Sequence, residues 1–267
     1  MENSKKDNPS YGEVWDLYLT NRYEQIRQKR NRLPENRNSK INFPGDEWGG
    51  VSKVNTILDE TFPDLSQVDE LNFVEIGSGG GRYTVQIIDR YPKATVHAFD
   101  VSSRYLDVLG RRLIENSMDD RVRLTQLNEN PDFIIDCLDN LGLKRQIDVF
   151  YSFDAMVHVD LQTLTTYFMT AALTLSKGGA IVMNVADATS DKGLEKLFVS
   201  SRRVFAEQGR CSAKFLWYSP DIVSSILEHL GFCVVFLNEG SRDCYFKATL
   251  VDPQKAEVIA GRAGFKT

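Results

Sequence analysis

Leu71–Arg82 reads LNFVEIGSGGGR. The apolar run Leu71, Phe73, Val74 and Ile76 stops abruptly at Gly77, Gly79, Gly80 and Gly81. The segment that follows, Arg82-Tyr83-Thr84-Val85-Gln86-Ile87-Ile88, has apolar positions suited to a helix. The pattern is a buried strand, a tight turn and a helix start. Glycines in such a turn reach backbone angles that other residues avoid, and they let a ligand approach the main chain. The helix start offers free N–H groups and a partial positive charge. A purely structural turn does not require four glycines in five residues after an acid-tipped strand; that density reads as a ligand loop.

Three kinds of glycine loop compete for this stretch. A P-loop places Lys followed by Ser or Thr after its last glycine, but Arg82-Tyr83 follows Gly81. A dinucleotide loop places a third glycine three residues after the second, but counting from Gly77 and Gly79 that position is Arg82. The third kind carries an acid two residues before the first glycine, as in Glu75-Ile76-Gly77-Ser78-Gly79-Gly80-Gly81. This run resembles motif I of the class I S-adenosylmethionine-dependent methyltransferases, a resemblance that extends over roughly residues 70–250. It implies a cofactor site in which Gly77, Ser78, Gly79 and Gly81 wrap the methionine part and Glu75 holds the ammonium end. The chemistry is sensible: a zwitterionic sulfonium needs an anion near its cations and backbone donors near its carboxylate.

The pattern on either side of this stretch sets the fold class. From Leu71 to about residue 187 strands alternate with helices: strands at Ala94–Asp100, Val122–Leu127, Ile147–Phe153 and Ala180–Ala186, helices over Ser102–Asn116, Pro131–Leu141 and Leu161–Leu175. That order implies an α/β fold with a parallel sheet and helices on both faces. A helix at Leu194–Gln208 and another over Pro220–Leu230 precede two last strands, Phe232–Leu237 and Cys244–Leu250. With no helix between them, these strands should pair antiparallel. The expectation is a Rossmann-like seven-stranded sheet, five parallel strands closed by a C-terminal antiparallel hairpin, which is the layout the resemblance implies. Residues 63–267 form this domain, with 188–217 as a substrate-covering insertion and 1–62 as an N-terminal helical lid. In that lid residues 1–10 read as disordered, and 11–31 as a helix with Tyr11, Val14, Trp15, Tyr18, Leu19 and Tyr23 at three-to-four spacing. A basic loop spans 29–42, open to two readings, a solvated face or a contact for an anionic group. A turn-rich stretch, Phe43–Gly50, carries Trp48, and a helix over Val51–Phe62 follows.

Composition excludes several function classes. A chain of 267 residues buries a full core. The net charge of −5 argues against nucleic acid, whose phosphates need clustered Lys and Arg. Cys137, Cys211, Cys233 and Cys244 are scattered without a CxxC pair, which fits free thiols in a reducing compartment, the first, third and fourth in apolar segments as core packing. No leader-like or membrane-length apolar segment is read. The expectation is a cytoplasmic protein with a small-molecule acceptor and no nucleic-acid or membrane partner; a homodimer is compatible with it.

Companion motifs fill in the site. Asp100 ends the second strand 23 residues after Gly77, where an acid accepts from both ribose hydroxyls; the alternative is a cap for the next helix. Val101 follows it along the cofactor. Asn128 and Glu129 match the family position at the adenine edge, or else form a polar turn before Pro131. Ser152 and Phe153 begin the family's motif IV, in which the chain passes near the methyl group. His158 follows on the same loop; His97 and His229 sit inside a strand and a helix and read as structural. An imidazole near neutrality takes a hydroxyl proton well, so His158 is the expected general base, with Asp154 as a second base or the group that orients it. Trp15, Tyr18, Trp48, Trp217 and Tyr218 are the expected substrate-pocket aromatics. Asp154 and Asp187 both lie just past strand ends, a weak pattern for an oxygen-ligated divalent metal, and no metal is assigned from it. The implied activity is transfer of a methyl group from S-adenosylmethionine to a hydroxyl of a sugar, glycoside or similar small molecule. The other readings are an N-methyltransferase, a non-catalytic cofactor-binding scaffold and a nicotinamide-dependent oxidoreductase.

Overall fold

The structure, a computed structural model, describes residues 10–31, 42–65, 70–128, 130–206, 214–237 and 241–267. The basic stretch 32–41, Glu129, Cys211 and the N-terminal nine residues lie outside the described residues.

Five strands make the expected parallel array: β1 (Leu71–Ile76), β2 (Ala94–Asp100), β3 (Val122–Gln126), β4 (Ile147–Ser152) and β5 (Leu175–Asp187). A two-residue strand, β6 (Trp217–Tyr218), adds to the end of β5 in parallel, with Ala186 opposite Trp217. The last two strands, β7 (Phe232–Phe236) and β8 (Asp243–Leu250), pair antiparallel, and β8 is inserted between β7 and β5. The order is β3-β2-β1-β4-β5-β8-β7. Strand order reverses between β1 and β4, so a crevice opens at their carboxyl ends, the place where open α/β sheets bind ligands.

Helices α3 (Val51–Thr61), α4 (Thr84–Arg90), α5 (Ser103–Glu115), α6 (Phe133–Asn140), α7 (Leu161–Thr174), α8 (Asp191–Ala206), α9 (Pro220–His229) and α10 (Pro253–Arg262) surround the sheet. Alternation along the strands divides the core in two. In β1, Val74 and Ile76 join a cluster with Phe150, Phe168, Met183 and Phe246, while Leu71 and Phe73 join Val85, Ile88, Val149 and Tyr151. Phe73, Phe150 and Phe168 are fully buried; truncating any one to Ala costs about 3–5 kcal/mol.

The N-terminal segment is a helix, α1 (Tyr11–Tyr18), which passes through a π-helical turn (Leu19–Tyr23) into α2 (Glu24–Asn31). Ser10 caps it: its hydroxyl accepts from the Glu13 N–H and the Glu13 carboxylate accepts from the Ser10 N–H. It packs on α5 of the same chain. A Cβ added to Gly12 would lie 2.8 Å from the Val101 carbonyl oxygen, so only glycine permits this approach. Asp16 accepts from the Ser102 hydroxyl, and Arg104 donates to the Thr20 hydroxyl at 2.6 Å.

Some boundaries differ from the sequence reading. Strand β5 begins at Leu175 and runs through Gly178 and Gly179, because a register shift opposite Ile147–Val149 lets the glycine pair continue the pairing. Helix α8 begins at Asp191, since the Ser190 hydroxyl accepts from the Gly193 N–H. Helix α10 was not anticipated, although Asp252-Pro253 is a readable cap-and-proline start: the Asp252 carboxylate accepts from the Lys255 N–H. Cys244 is buried as expected, but Cys233 is exposed and does not pack in the core. Among the described residues, no helix is long and apolar enough to cross a membrane.

Candidate active site

One cavity of about 720 Å³ opens at the carboxyl ends of β1 and β4. Its size suits small-molecule ligands. Its inner wall is the strand–glycine–helix unit. Gly77, Gly79 and Gly81 take positive φ of 72, 51 and 78°. The turn is fixed by the Gly77 N–H on the Phe99 carbonyl at 2.8 Å and the Gly81 N–H on the Ser78 carbonyl at 3.0 Å. Gly77, Ser78 and Gly79 line the cavity. Gly81 does not: a Cβ there would meet Leu109 at 2.3 Å, so that glycine serves the packing of α5. Gly80 carries the Pro44 loop, whose carbonyl oxygen would lie 2.1 Å from an added Cβ.

Glu75 is on the β1 face toward α4, almost fully buried, and accepts from the Thr84 hydroxyl at 2.6 Å. Burial pushes its carboxyl up to about 7. Asp100 accepts from the Gly79 N–H at 2.8 Å with one oxygen and from the Ser102 N–H at 2.9 Å with the other. Burial raises it to about 6 against those two bonds. Each Asp100 oxygen keeps a lone pair, and Ser102, not Asp100, caps α5 through the Tyr105 N–H. Val101 and Asn128 line the same end of the cavity. The Asn128 side-chain oxygen accepts from the Asn130 N–H at 2.9 Å, which leaves its amide as a donor. The Ser78 hydroxyl is buried against the cavity without a hydrogen-bond partner.

At the other end the walls are aromatic. Trp15, Trp48, Tyr83 and Phe153 line it, with Tyr11 and Leu216. Tyr83 and Phe153 stack at 4.4 Å between centroids. Asp154 holds a positive φ of 60°, a conformation that costs a non-glycine residue about 1–2 kcal/mol. Its N–H donates to the Asn184 side-chain oxygen at 2.8 Å, which holds it there. Its carboxylate pairs with buried Arg82 at 3.1 Å. Arg82 also donates to the Gly45 carbonyl and the Tyr83 hydroxyl. Asp154 therefore does not orient His158. Removing one partner of this pair would leave Arg82 buried without its counter-charge, so Asp154→Ala should lower unfolding free energy by about 2–3 kcal/mol. Urea denaturation of the variant beside wild type measures it.

His158 is clamped on three sides. Its Nδ1 lies 2.9 Å from the Lys214 carbonyl oxygen; a carbonyl only accepts, so Nδ1 carries the proton and Nε2 keeps its lone pair. Its own carbonyl accepts from the Tyr11 hydroxyl at 2.9 Å. Trp15 meets the ring edge-on at 5.2 Å, and Phe215 lies at 5.1 Å. Burial lowers its pKa from the ordinary value, so the imidazole is neutral at neutral pH.

Several expected residues lie elsewhere. The Tyr18 hydroxyl donates to Glu47 at 2.8 Å and its ring packs on Trp48, so it braces the cavity wall and does not line it. Trp217 and Tyr218 are sheet residues in β6; Trp217 packs on Phe215, and the Tyr218 hydroxyl donates to the Val159 carbonyl. Ser152 is fully buried and ties β4 to β1 through the Ile76 carbonyl at 2.7 Å. Asp187 accepts from the Thr189 N–H and hydroxyl, both at 2.7 Å, and shapes the turn into α8. Among the described residues no group of three His, Cys, Asp or Glu side chains is placed to hold a metal.

The sequence reading also missed lining residues. Tyr105 on α5 and Thr163, Thr166, Tyr167 and Thr170 on α7 face the cavity. In α7 the signal is readable, since these polar positions recur at helical spacing between Leu164, Phe168, Ala171 and Ala172.

No protein-family model and no curated protein sequence matches this chain. Solved structures do. A geranyl diphosphate C-methyltransferase from Streptomyces coelicolor, solved with Mg2+, geranyl diphosphate and S-adenosylhomocysteine, aligns at TM-score 0.53 and 16% identity over 75% of this chain and 79% of its own. The fold is that of the class I S-adenosylmethionine-dependent methyltransferases. An O-methyltransferase family protein from Burkholderia thailandensis aligns at 0.57 and 15%, covering 74% of this chain and 55% of that one. A phosphoethanolamine N-methyltransferase from Haemonchus contortus aligns at 0.59 and 14%, covering 92% of this chain and 61% of that one. This methyltransferase fold places Glu75, the glycine turn, Asp100 and His158 around one cavity.

Proposed function

We propose that the protein is an S-adenosylmethionine-dependent O-methyltransferase acting on a hydroxyl of a small molecule, with His158 as general base. The observation that carries this reading is a single cavity that joins the glycine turn and Asp100 to a histidine whose Nε2 lone pair is free. The cavity residues fit the cofactor. The orphaned Ser78 hydroxyl offers a donor to a carboxylate, the glycine cradle lets that group approach the main chain, Glu75 offers an anion to an ammonium, and Asp100 offers lone pairs to ribose hydroxyls. Asn128 offers an amide N–H to a ring nitrogen. Bound S-adenosylmethionine supplies a methyl group made electrophilic by its sulfonium.

The chain's part is alignment, water exclusion and proton removal. His158 Nε2 takes the hydroxyl proton, and the Lys214 carbonyl, accepting from Nδ1–H, steadies the imidazolium that forms. Two described parts of the N-terminal segment act as a lid: α1 contributes Tyr11 and Trp15, and the Phe43–Gly50 stretch contributes Trp48. The O-, C- and N-methyltransferase neighbours share the fold and differ in acceptor, so the reading of transfer to oxygen rests on the histidine in the cavity. The test is incubation with methyl-labelled S-adenosylmethionine and a panel of alcohols, phenols and amines, read by mass spectrometry. Methyl ethers support the reading; methylamines alone replace it with N-methylation.

The two buried carboxyls give a pH dependence. Their folded-state pKa values, about 7 for Glu75 and about 6 for Asp100, stand above the ordinary carboxylate range. The cofactor's ammonium and ribose need the ionised forms. S-adenosylhomocysteine affinity should therefore be level above about pH 7.5 and fall as pH drops to 5, approaching tenfold per unit for each group as it protonates. Calorimetric titrations at four pH values would check this, and affinity that rises on acidification would contradict it.

A further inference from the structure

The acceptor end of the cavity is specific enough to name a substrate class. Its surface is aromatic, from Trp15, Trp48, Tyr83 and Phe153. The polar side chains beside these rings are mostly committed. Arg82 donates to Gly45, Tyr83 and Asp154, and Asp154 pairs with Arg82 while its N–H is held by Asn184. The Tyr11 hydroxyl is spent on the His158 carbonyl. Arg82 is the sole Lys or Arg among the described lining residues, and its charge is already paired with Asp154. A phosphorylated acceptor would meet no unpaired cation among the described lining residues, and a polyol would bury hydroxyls beside polar groups that already have partners. A planar apolar ring instead meets an aromatic wall in which Tyr83 and Phe153 already stack on each other, so that it packs edge-to-face against them.

We propose that the acceptor is the hydroxyl of an uncharged phenol, bound with its ring against Trp48, Tyr83 and Phe153 and its O–H toward His158; the proposal rests on the methyltransferase reading above. The base fits this acceptor. A neutral, half-buried imidazole is weak, and a phenol, with a pKa of about 10, releases its proton to it far more readily than an aliphatic alcohol near the 15.7 of water. In the transfer a phenolic oxygen electron pair forms the O–CH3 bond. The S–CH3 bond breaks with its pair passing to sulfur, which leaves a neutral thioether, and the phenolic proton goes to Nε2.

Calorimetry on the full chain saturated with S-adenosylhomocysteine tests it, using phenol, 2-naphthol and a hydroxyflavone beside 2-decalol, methyl β-glucoside and 2-naphthyl phosphate. At least one phenol should bind at least tenfold more tightly than all three comparison compounds. Trp48→Ala, at an exposed residue whose loss the fold should tolerate, should weaken that binding by about tenfold. With S-adenosylmethionine the same phenol should yield its methyl ether. Cofactor binding with no phenol bound, or with the phosphate or glucoside bound equally well, overturns the phenol assignment and leaves the methyltransferase reading standing. Absence of S-adenosylhomocysteine binding in the same titration overturns both.

Discussion

Gly79→Arg should abolish S-adenosylhomocysteine binding, a loss beyond about 100-fold, or about 3 kcal/mol, while the protein stays folded. Gly79 lines the cavity at φ 51°, and a Cβ there would meet only the Tyr105 ring, at 3.7 Å. The added Cβ therefore introduces no clash. The left-handed backbone costs about 1–2 kcal/mol, a few degrees of Tm for a chain of this size, and the guanidinium fills the place where the cofactor would lie. Gly77→Ala makes the contrast. That residue also has positive φ, but its added Cβ would stand 2.4 Å from the Ala155 Cβ, so thermal stability should fall well beyond the Gly79→Arg value. Melting curves and calorimetry on the two variants separate a blocked site from a broken turn.

His158→Ala should reduce turnover by about 10²–10⁴, the usual contribution of a positioned base. S-adenosylhomocysteine affinity should stay within about threefold of wild type, since the cofactor-holding groups lie on β1, β2 and the glycine turn. The pH profile carries more information than the loss. Desolvation holds the His158 pKa below 6.5, and only neutral imidazole accepts a proton. Wild-type turnover should therefore be flat at neutral pH and decline on acidification below that value, and the variant should lack the His158 limb. Equal loss of turnover and of cofactor affinity would assign His158 to folding instead, through its contacts with Lys214 and Tyr11.

The parts of this architecture that local pattern controls were readable in the sequence. Glu75–Gly81 declares a turn because glycine alone supplies its backbone angles, and a link too short for a helix between the expected strands Phe232–Leu237 and Cys244–Leu250 declares an antiparallel pair. Asp100 followed from its place at a strand end. What long-range packing decides was not readable. Trp217 and Tyr218 look the same on paper as Trp15 and Trp48, yet β5 captures the first two as an added strand while α1 and the Pro44 loop turn the others into the cavity. Asp154 looked like a partner for His158 four residues away; its actual partner, Arg82, lies 72 residues off. The group that sets the His158 tautomer is a backbone carbonyl at Lys214, which has no side-chain signature at all. In the sequence Arg82 serves only to reject a P-loop and a dinucleotide loop, whereas in the fold it is buried in the cavity wall.

The account depends first on what the glycine turn holds. The most direct test is calorimetric titration of the wild-type protein with S-adenosylhomocysteine and, separately, NADH. S-adenosylhomocysteine should bind one-to-one at about micromolar affinity, near −8 kcal/mol, and NADH should give no heat. Binding of NADH in its place, or of neither ligand to protein shown by mass spectrometry to carry no copurified cofactor, would contradict it.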